Sequence, residues 1–352
     1  MLLLIVATAC LVSRVAAAAA ANPRIIVTTD INIGKGDPDD RQSLCHLLWY
    51  ANELDIRAII PSFNENSKQA CDIAFDRYEK DFNQPGTRFK TLGYPQPDYF
   101  RKEALVATRR AAIQRIIDEA RRVDDRPLWI LVWGSMDLVA DTLREAPEIA
   151  HKFRVITIGT FRRSKEDGGD GRMRNWNDGS PRGRQYVFDT FPRLWWIESD
   201  WTYNGMFKGQ EPERLRADLA RFGGELGRHI SEVIATPTSA GYFRAGDTPT
   251  LLYLIDPNHD RENPAITSWA GRYTKPFPKE RPNFWTGISG GHEWDYADPA
   301  KTWHNASKVH QARVQTLLEQ RPAMYTALLS KVKSLYGTPA GDLDEQGPRP
   351  KP

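Results

Sequence analysis

Apolar and polar positions alternate in blocks along this chain. Ile25-Ile26-Val27-Thr28-Thr29 is a short, mostly β-branched run, which predicts a buried strand. A Gly-containing loop, Ile31 to Pro38, follows it. The pattern then changes period: Leu44, Cys45, Leu47 and Leu48 after Asp39-Asp40 predict a helix that starts at the two acids. Asp55 to Pro61 predicts a second strand, followed by the polar loop Ser62 to Asn66 and a helix over Ser67 to Asp81. Ala104 to Arg122 has Ala, Ile and Leu on one helical face and Arg on the other. Leu128 to Trp133 predicts a strand closed by Gly134, with a helix over Met136 to Leu143. Further strands are predicted at Arg154 to Gly159 and Leu194 to Ile197, and a helix at Leu215 to Ile230. Thr250 to Ile255 is an apolar run open to either element, and Lys308 to Tyr336 predicts a long helix or helix pair. Strands alternating with helices predict an α/β fold with a mainly parallel sheet flanked by helices.

Three stretches fall outside this rhythm. Leu2 to Ala21 is apolar and small, ends in Ala-rich cleavage options and carries no Lys or Arg ahead of Arg14; it reads as a secretory signal peptide over residues 1–21. Phe161 to Arg184 is polar, charged and Gly-rich, and a loop of that length in a compact domain is usually functional or disordered. Residues 338–352 have the composition of a disordered tail. One domain, 22–337, lies between the two ends, and no internal repeat divides it.

Composition narrows the partners. A net charge of +3 on 352 residues gives no attraction to nucleic acid or, once the signal is removed, to a membrane. Cys45 and Cys71 sit in predicted helices among apolar neighbours, so two buried thiols are expected rather than a disulfide. No CxxC or Cys/His zinc spacing is present.

The candidate chemistry is acidic. Asp30, Asp37, Asp39 and Asp40 fall within eleven residues directly after the first strand. Ligands of open parallel sheets bind beyond the carboxyl ends of the strands. Carboxylates crowded there repel one another unless a cation sits among them, and hard oxygen donors suit Ca²⁺ or Mg²⁺. The structural alternative stays open at this stage: Asp39 and Asp40 fall in a first helical turn, where the dipole favours negative charge. Asn175-Trp176-Asn177 in the long loop can hold hydroxyl groups or simply make turns.

VTTDI…GDPDDRQSL, RPLWILVWGSMDLVADTL, GDTPTLLYLIDP and WAGRY together resemble the nucleoside-hydrolase-like domain of the cellulose-binding protein family, itself similar in fold to the inosine-uridine nucleoside hydrolases. The resemblance spans Arg24 to Gly337. It implies a Ca²⁺ site. The first-loop acids match Asp37, Asp39 and Asp40 when DPDD is aligned, or Asp30 when the strand end is aligned. The late acid matches Asp247, and a main-chain carbonyl matches Trp133. The implied metal set is Asp30, Asp37, Asp40, Trp133 and Asp247. Pro249 at the first helical position would make Thr248 the N-cap and leave Asp247 just outside the helix; the alternative is Asp247 itself as the N-cap, with Pro249 in the first turn. Asn64, Asn175 and Asn177 stand where the hydrolases hold ribose, with Asn175 in place of a Glu.

The implied reaction is hydrolysis of an N-glycosidic or related glycosyl bond, with Asp40 or Asp37 as the base. Many nucleoside hydrolases carry a His directly before the late Asp; here that residue is Gly246. His292 and Arg244 are the replacement candidates for protonating the leaving group. The alternative is a non-catalytic carbohydrate-binding protein using the same pocket, to which the aromatic-rich segments at Trp269, Trp285, Trp294 and Trp303 are suited. The expected partner is a small nucleoside or carbohydrate, the expected location secreted or periplasmic, and a homo-oligomer is compatible with the resemblance.

Overall fold

The computed structural model describes residues 21–33, 38–158, 183–199, 212–237, 239, 243–287, 322 and 324–337. Their framework is a seven-stranded sheet in the order β2-β1-β3-β4-β5-β7-β6. The strands are β1 (Arg24–Thr29), β2 (Asp55–Pro61), β3 (Leu128–Trp133), β4 (Phe153–Thr157), β5 (Trp195–Glu198), β6 (Tyr273–Thr274) and β7 (Phe284–Gly287). Every adjacent pair is parallel except β6 with β7.

Strands β1 and β3 are buried at every position. Successive side chains of a strand point to opposite faces, so a strand covered on both sides must be apolar throughout. Ile25, Val27, Trp129, Leu131 and Trp133 feed one core, while Ile26, Leu128, Ile130 and Val132 feed the other. The first core is closed by α1 (Pro38–Trp49), α2 (Glu65–Asn83), α6 (Pro212–Phe222), α7 (Gly224–Ile234), α8 (Thr248–Ile255) and a C-terminal helix α9 over 324–336. The second is closed by α3 (Arg109–Arg121), α4 (Asp137–Glu145) and α5 (Arg184–Thr190).

The order of strands creates one crevice that matters. From β1 the chain runs through α1 to β2 on one side, then crosses to β3 on the other side of β1. The loops leaving β1 and β3 therefore diverge, which is the switch-point geometry where open α/β sheets bind ligands.

Several expected boundaries move for identifiable reasons. The single helix expected over Leu215 to Ile230 is two, α6 and α7, broken at Gly223-Gly224. Gly224 has φ +61°, and a Cβ there would stand 2.2 Å from Tyr336 Cε1 and 2.4 Å from Asp81 Oδ1. The break turns the start of α7 toward Asp81, which accepts from Glu225 N at 2.7 Å and Leu226 N at 3.0 Å. Tyr336 of α9 donates to the same carboxylate at 2.6 Å, so this clasp also holds the end of the last helix. Helix α3 begins at Arg109 rather than Ala104 because Thr108 caps it, accepting from Ala111 N. The open run at Thr250 to Ile255 is helical. The stretch from Trp269 contains the short edge strand β6 and the short strand β7, which pairs with β5 on its other side; flanking Gly and Pro hide both from the sequence pattern. Cys45 and Cys71 are buried free thiols, and burial raises the pKa of both. Most of Phe161 to Arg184 lies outside the described residues.

Candidate metal centre

At the carboxyl edge of the sheet, Asp39, Asp40 and Asp247 each present a carboxylate oxygen, and these oxygens all lie within 4.8 Å of one another. All three residues are about 1% exposed. The local sequence explains the convergence. Pro38 opens α1, which places Asp39 and Asp40 in its first turn, where the dipole accepts negative charge. Asp247 precedes Thr248, the first residue of α8, and occupies the N-cap position; its side chain makes no capping hydrogen bond. The helix thus begins one residue earlier than the position of Pro249 suggested, and the Asp247 carboxylate turns toward α1. Two helix N-termini meet over the switch point, each delivering acid.

Polar contacts lock this meeting. Thr248 Oγ1 lies 3.1 Å from Ser43 Oγ, one turn along α1. Arg244 N donates to Gln42 Oε1 at 3.0 Å, and Gln42 Nε2 donates to Pro38 O at 3.1 Å, so α1 also holds the segment entering α8. Trp133 Nε1 at the end of β3 donates to Thr250 Oγ1 at 2.6 Å, and that hydroxyl donates in turn to Asp247 O at 2.9 Å. Thr29, the last residue of β1, donates its hydroxyl to Asp40 Oδ1 while accepting from Ile31 N at 3.1 Å. With its oxygen taking the amide proton, the single hydroxyl proton is committed to Asp40. That carboxylate is therefore oriented with one oxygen engaged.

Asp30 follows β1 and packs on the end of β3. A Cβ on Gly134 would stand 3.2 Å from Asp30 N and 3.4 Å from its Cγ. Gly134 is thus the close approach that lets the first loop settle against the third strand. Asp30 is adjacent to the crevice, outside the group of three. Trp133 is buried at the end of β3, opposite Thr29 in register. Asn64 is exposed and caps α2, accepting from Ser67 N at 2.9 Å. Asp37, Asn175, Asn177 and His292 lie outside the described residues.

The donor set is all carboxylate oxygen, which fits a hard divalent cation and not a thiophilic one. Three buried carboxylates this close raise one another's affinity for positive charge. Among the described residues, His46 of α1 is the nearest imidazole along the chain to Asp40. Burial lowers its pKa to about 3, so it is neutral at ordinary pH and cannot serve as the protonated acid.

Sequence reasoning placed Asp40 and Asp247 near a common site and named Asp39 among the first-loop acids. It did not single out Thr29, Gln42 or Ser43. The signal available for them was polarity at positions the strand and helix patterns bury.

An open, doubly covered parallel sheet with an acid cluster at its switch point defines an α/β protein of nucleoside-hydrolase-like architecture. The chain belongs to the family described as cellulose-binding Sde182, nucleoside hydrolase-like domain, whose model matches residues 24–273. Among solved structures it is similar to a nucleoside hydrolase-related hypothetical protein from Saccharophagus degradans that is associated with carbohydrate metabolism. That similarity is 20% identity over 90% of this chain and 73% of the other, with a TM-score of 0.56. An inosine-guanosine nucleoside hydrolase is 14% identical over 90% of this chain and 99% of its own, with a TM-score of 0.47. An inosine-uridine preferring nucleoside hydrolase from Bacillus anthracis is 14% identical over 82% and 99%, with a TM-score of 0.44. No curated protein matches the chain. No helix among the described residues is long and apolar enough to cross a membrane.

Proposed function

We propose that this chain is an exported hydrolase of a glycosyl bond, N-glycosidic or related, that binds Ca²⁺ at Asp39, Asp40 and Asp247. The observation that carries the reading is the buried convergence of three carboxylates at the switch point. Asp30 and the Trp133 carbonyl, at the ends of the two strands that flank the crevice, complete the oxygen donors. Ca²⁺ held by the three carboxylates would supply positive charge at the cluster and a seat for the hydroxyls of a sugar. The substrate is a small nucleoside or carbohydrate, in keeping with a family described as cellulose-binding and nucleoside hydrolase-like.

The chain's own residues divide the remaining work. A carboxylate of the cluster takes the proton of the attacking water, and the surrounding negative charge stabilises the oxocarbenium-like transition state. Thr29 holds Asp40 with one oxygen occupied, which fixes the direction of the other. Gly246 stands immediately before Asp247, so protonation of the leaving group falls to a residue elsewhere, with His292 as the candidate. Residues 1–21 serve as the export signal, giving a secreted or periplasmic protein.

The test is calorimetric titration of Ca²⁺ into metal-stripped protein, with wild type beside Asp247→Asn. Saturable binding that the substitution abolishes supports the reading and licenses a turnover screen of nucleosides and glycosides. Equal heats from both proteins would sink it.

A further inference from the structure

We propose that Asp81 is a proton-operated joint of the helical layer: neutral, it seats the C-terminal helix α9 firmly, and ionised, it lets that helix open. The proposal is independent of the reading of the acid cluster.

Four helices meet at this one side chain. Asp81 lies in the last turn of α2 and is fully buried. From α7, Glu225 N and Leu226 N donate to its two oxygens, so Asp81 caps a helix from a distant part of the chain. From α9, the Tyr336 hydroxyl donates to Oδ2 at 2.6 Å. From α1, Trp49 Nε1 donates to that hydroxyl at 3.0 Å.

The joint holds no cation. Arg77, one turn back on α2, is drawn off by Glu225 at 2.7 Å and Glu232 at 3.1 Å. Arg88, in the loop after α2, turns its guanidinium to Ser334 O at 3.3 Å. Lys331 of α9 is taken by Glu53 and by Asn52 Oδ1 at 2.8 Å. Cys45 of α1 and Glu225 of α7 also face Asp81, and neither offers positive charge. The carboxylate is thus answered by neutral donors. Burial pushes its pKa up to about 6, although the bonds from Tyr336 and the two amides pull it down. The folded value is raised, so the stabilisation belongs to the neutral form and is lost as pH rises through about 6. The element placed to yield is α9, the last described helix. Besides Tyr336 and Lys331, it is held by Arg88 N on Leu335 O at 2.8 Å and by Met324, Leu328, Val332 and Leu335 in the first core.

The experiment follows amide exchange of residues 324–337 in the full chain at pH 5 and pH 7, corrected for intrinsic exchange rates, with β3 as internal reference. A folded value of about 6 against the ordinary 3.8 makes α9 about tenfold more open at pH 7 than at pH 5, read as the wild-type ratio relative to that of Asp81→Asn. Buried His46 of α1 and His229 of α7 respond in the opposite sense, because burial lowers their pKa to about 3 and about 4. Both remain in the variant, so the comparison cancels them. Tyr336→Phe loses a hydrogen bond that favours the ionised form, so it should keep the response and carry it to higher pH. The same ratio in wild type and Asp81→Asn overturns the proposal. So does opening of β3 in the same proportion as α9, which would make the change one of global stability. Should Asp81→Asn fail to fold, Tyr336→Phe decides, and a response unshifted from wild type overturns the proposal.

Discussion

The two ends of the central strands bury charge in opposite ways. At the amino end, Glu119 of α3 is enclosed by guanidinium groups. Arg24 Nη2 lies 3.1 Å from it, and Arg57 and Arg122 each reach both of its oxygens at 3.0–3.1 Å. Asp55 and Asp124 are joined by Arg126 at 2.9 and 2.7 Å. Opposite charges alternate there, and each carboxylate has a named cation. At the carboxyl end, Asp39, Asp40 and Asp247 converge on one another. A buried network of alternating sign ties loops together. Carboxylates of like sign buried together repel one another, and a cation among them relieves that repulsion. The first is architecture, and the second, under the proposed function, is a receptor built at the expense of stability, as functional sites often are.

The largest expected effect breaks the comparison at its stable end. Glu119→Gln leaves three guanidinium groups short of their carboxylate and should destabilise the fold by about 3–5 kcal/mol. The loss is read from urea midpoints and should not depend on Ca²⁺. The pH dependence has a definite sign. Burial alone would raise the Glu119 pKa, but hydrogen bonds from Arg57, Arg122 and Arg24 outweigh it and hold the group at about 2. Its folded pKa is thus depressed. Its stabilisation is complete above the ordinary glutamate value and disappears as pH falls through about 2. Acid titration of wild type should show this loss, and Glu119→Gln should lack it.

At the other end the signs reverse. Asp247→Asn removes one of three mutually repelling carboxylates, so without metal its urea midpoint should equal or exceed that of wild type. Ca²⁺ at a hundred times its dissociation constant should stabilise wild type by about 2.7 kcal/mol and the variant hardly at all. A metal-free variant that unfolds as readily as Glu119→Gln would show the cluster to be structural. Next in size is Thr29→Val, which removes the hydroxyl that orients Asp40. Outer-shell partners of this kind typically change metal affinity by about 10–100-fold, and the lower end is expected here because the carboxylate remains. Thr29→Ser should restore the affinity, and Val and Ser variants that bind Ca²⁺ equally would show the hydroxyl to be idle.

The contrast also explains what could be read from the sequence. Strands β1 and β3 were legible because a strand covered on both faces must be continuously apolar, and Ile25 to Val27 and Leu128 to Trp133 are. Asp40 was legible as one of four acids directly after the first strand, and Asp247 only through the resemblance, which matched it to the late acid. The break at Gly224 was not, since it depends on Tyr336 and Asp81 arriving from distant parts of the chain. Neither was the pairing of Thr29 with Asp40, for a Thr in a β-branched run looks like strand material. The spacing also failed to single out Asp39 as a member of the cluster, because only the helix phase, fixed by Pro38, brings it to face α8. The charged network at the amino end was equally hidden: its members lie as far apart as Arg24 and Glu119, and nothing local marks them as partners.

The smallest effect concerns Asn64, where a local role and a binding role compete for one side chain. Its Oδ1 accepts from Ser67 N, so it caps α2, while the resemblance places it as a sugar ligand. Asn64→Ala should destabilise by about 1 kcal/mol through loss of the cap. Asn64→Asp keeps an oxygen acceptor in the same place and should recover that stability, but it replaces an amide donor with a charge. If Asn64 only caps, the Asp variant binds ligand as wild type does. If the amide also reaches a sugar hydroxyl, the Asp variant is stable and binds weakly. The cap leaves Nδ2 available for that second task and Oδ1 committed to the first. The expected result is therefore separation of the two properties in Asn64→Asp, read from a urea midpoint and a cellotetraose isotherm on the same preparation.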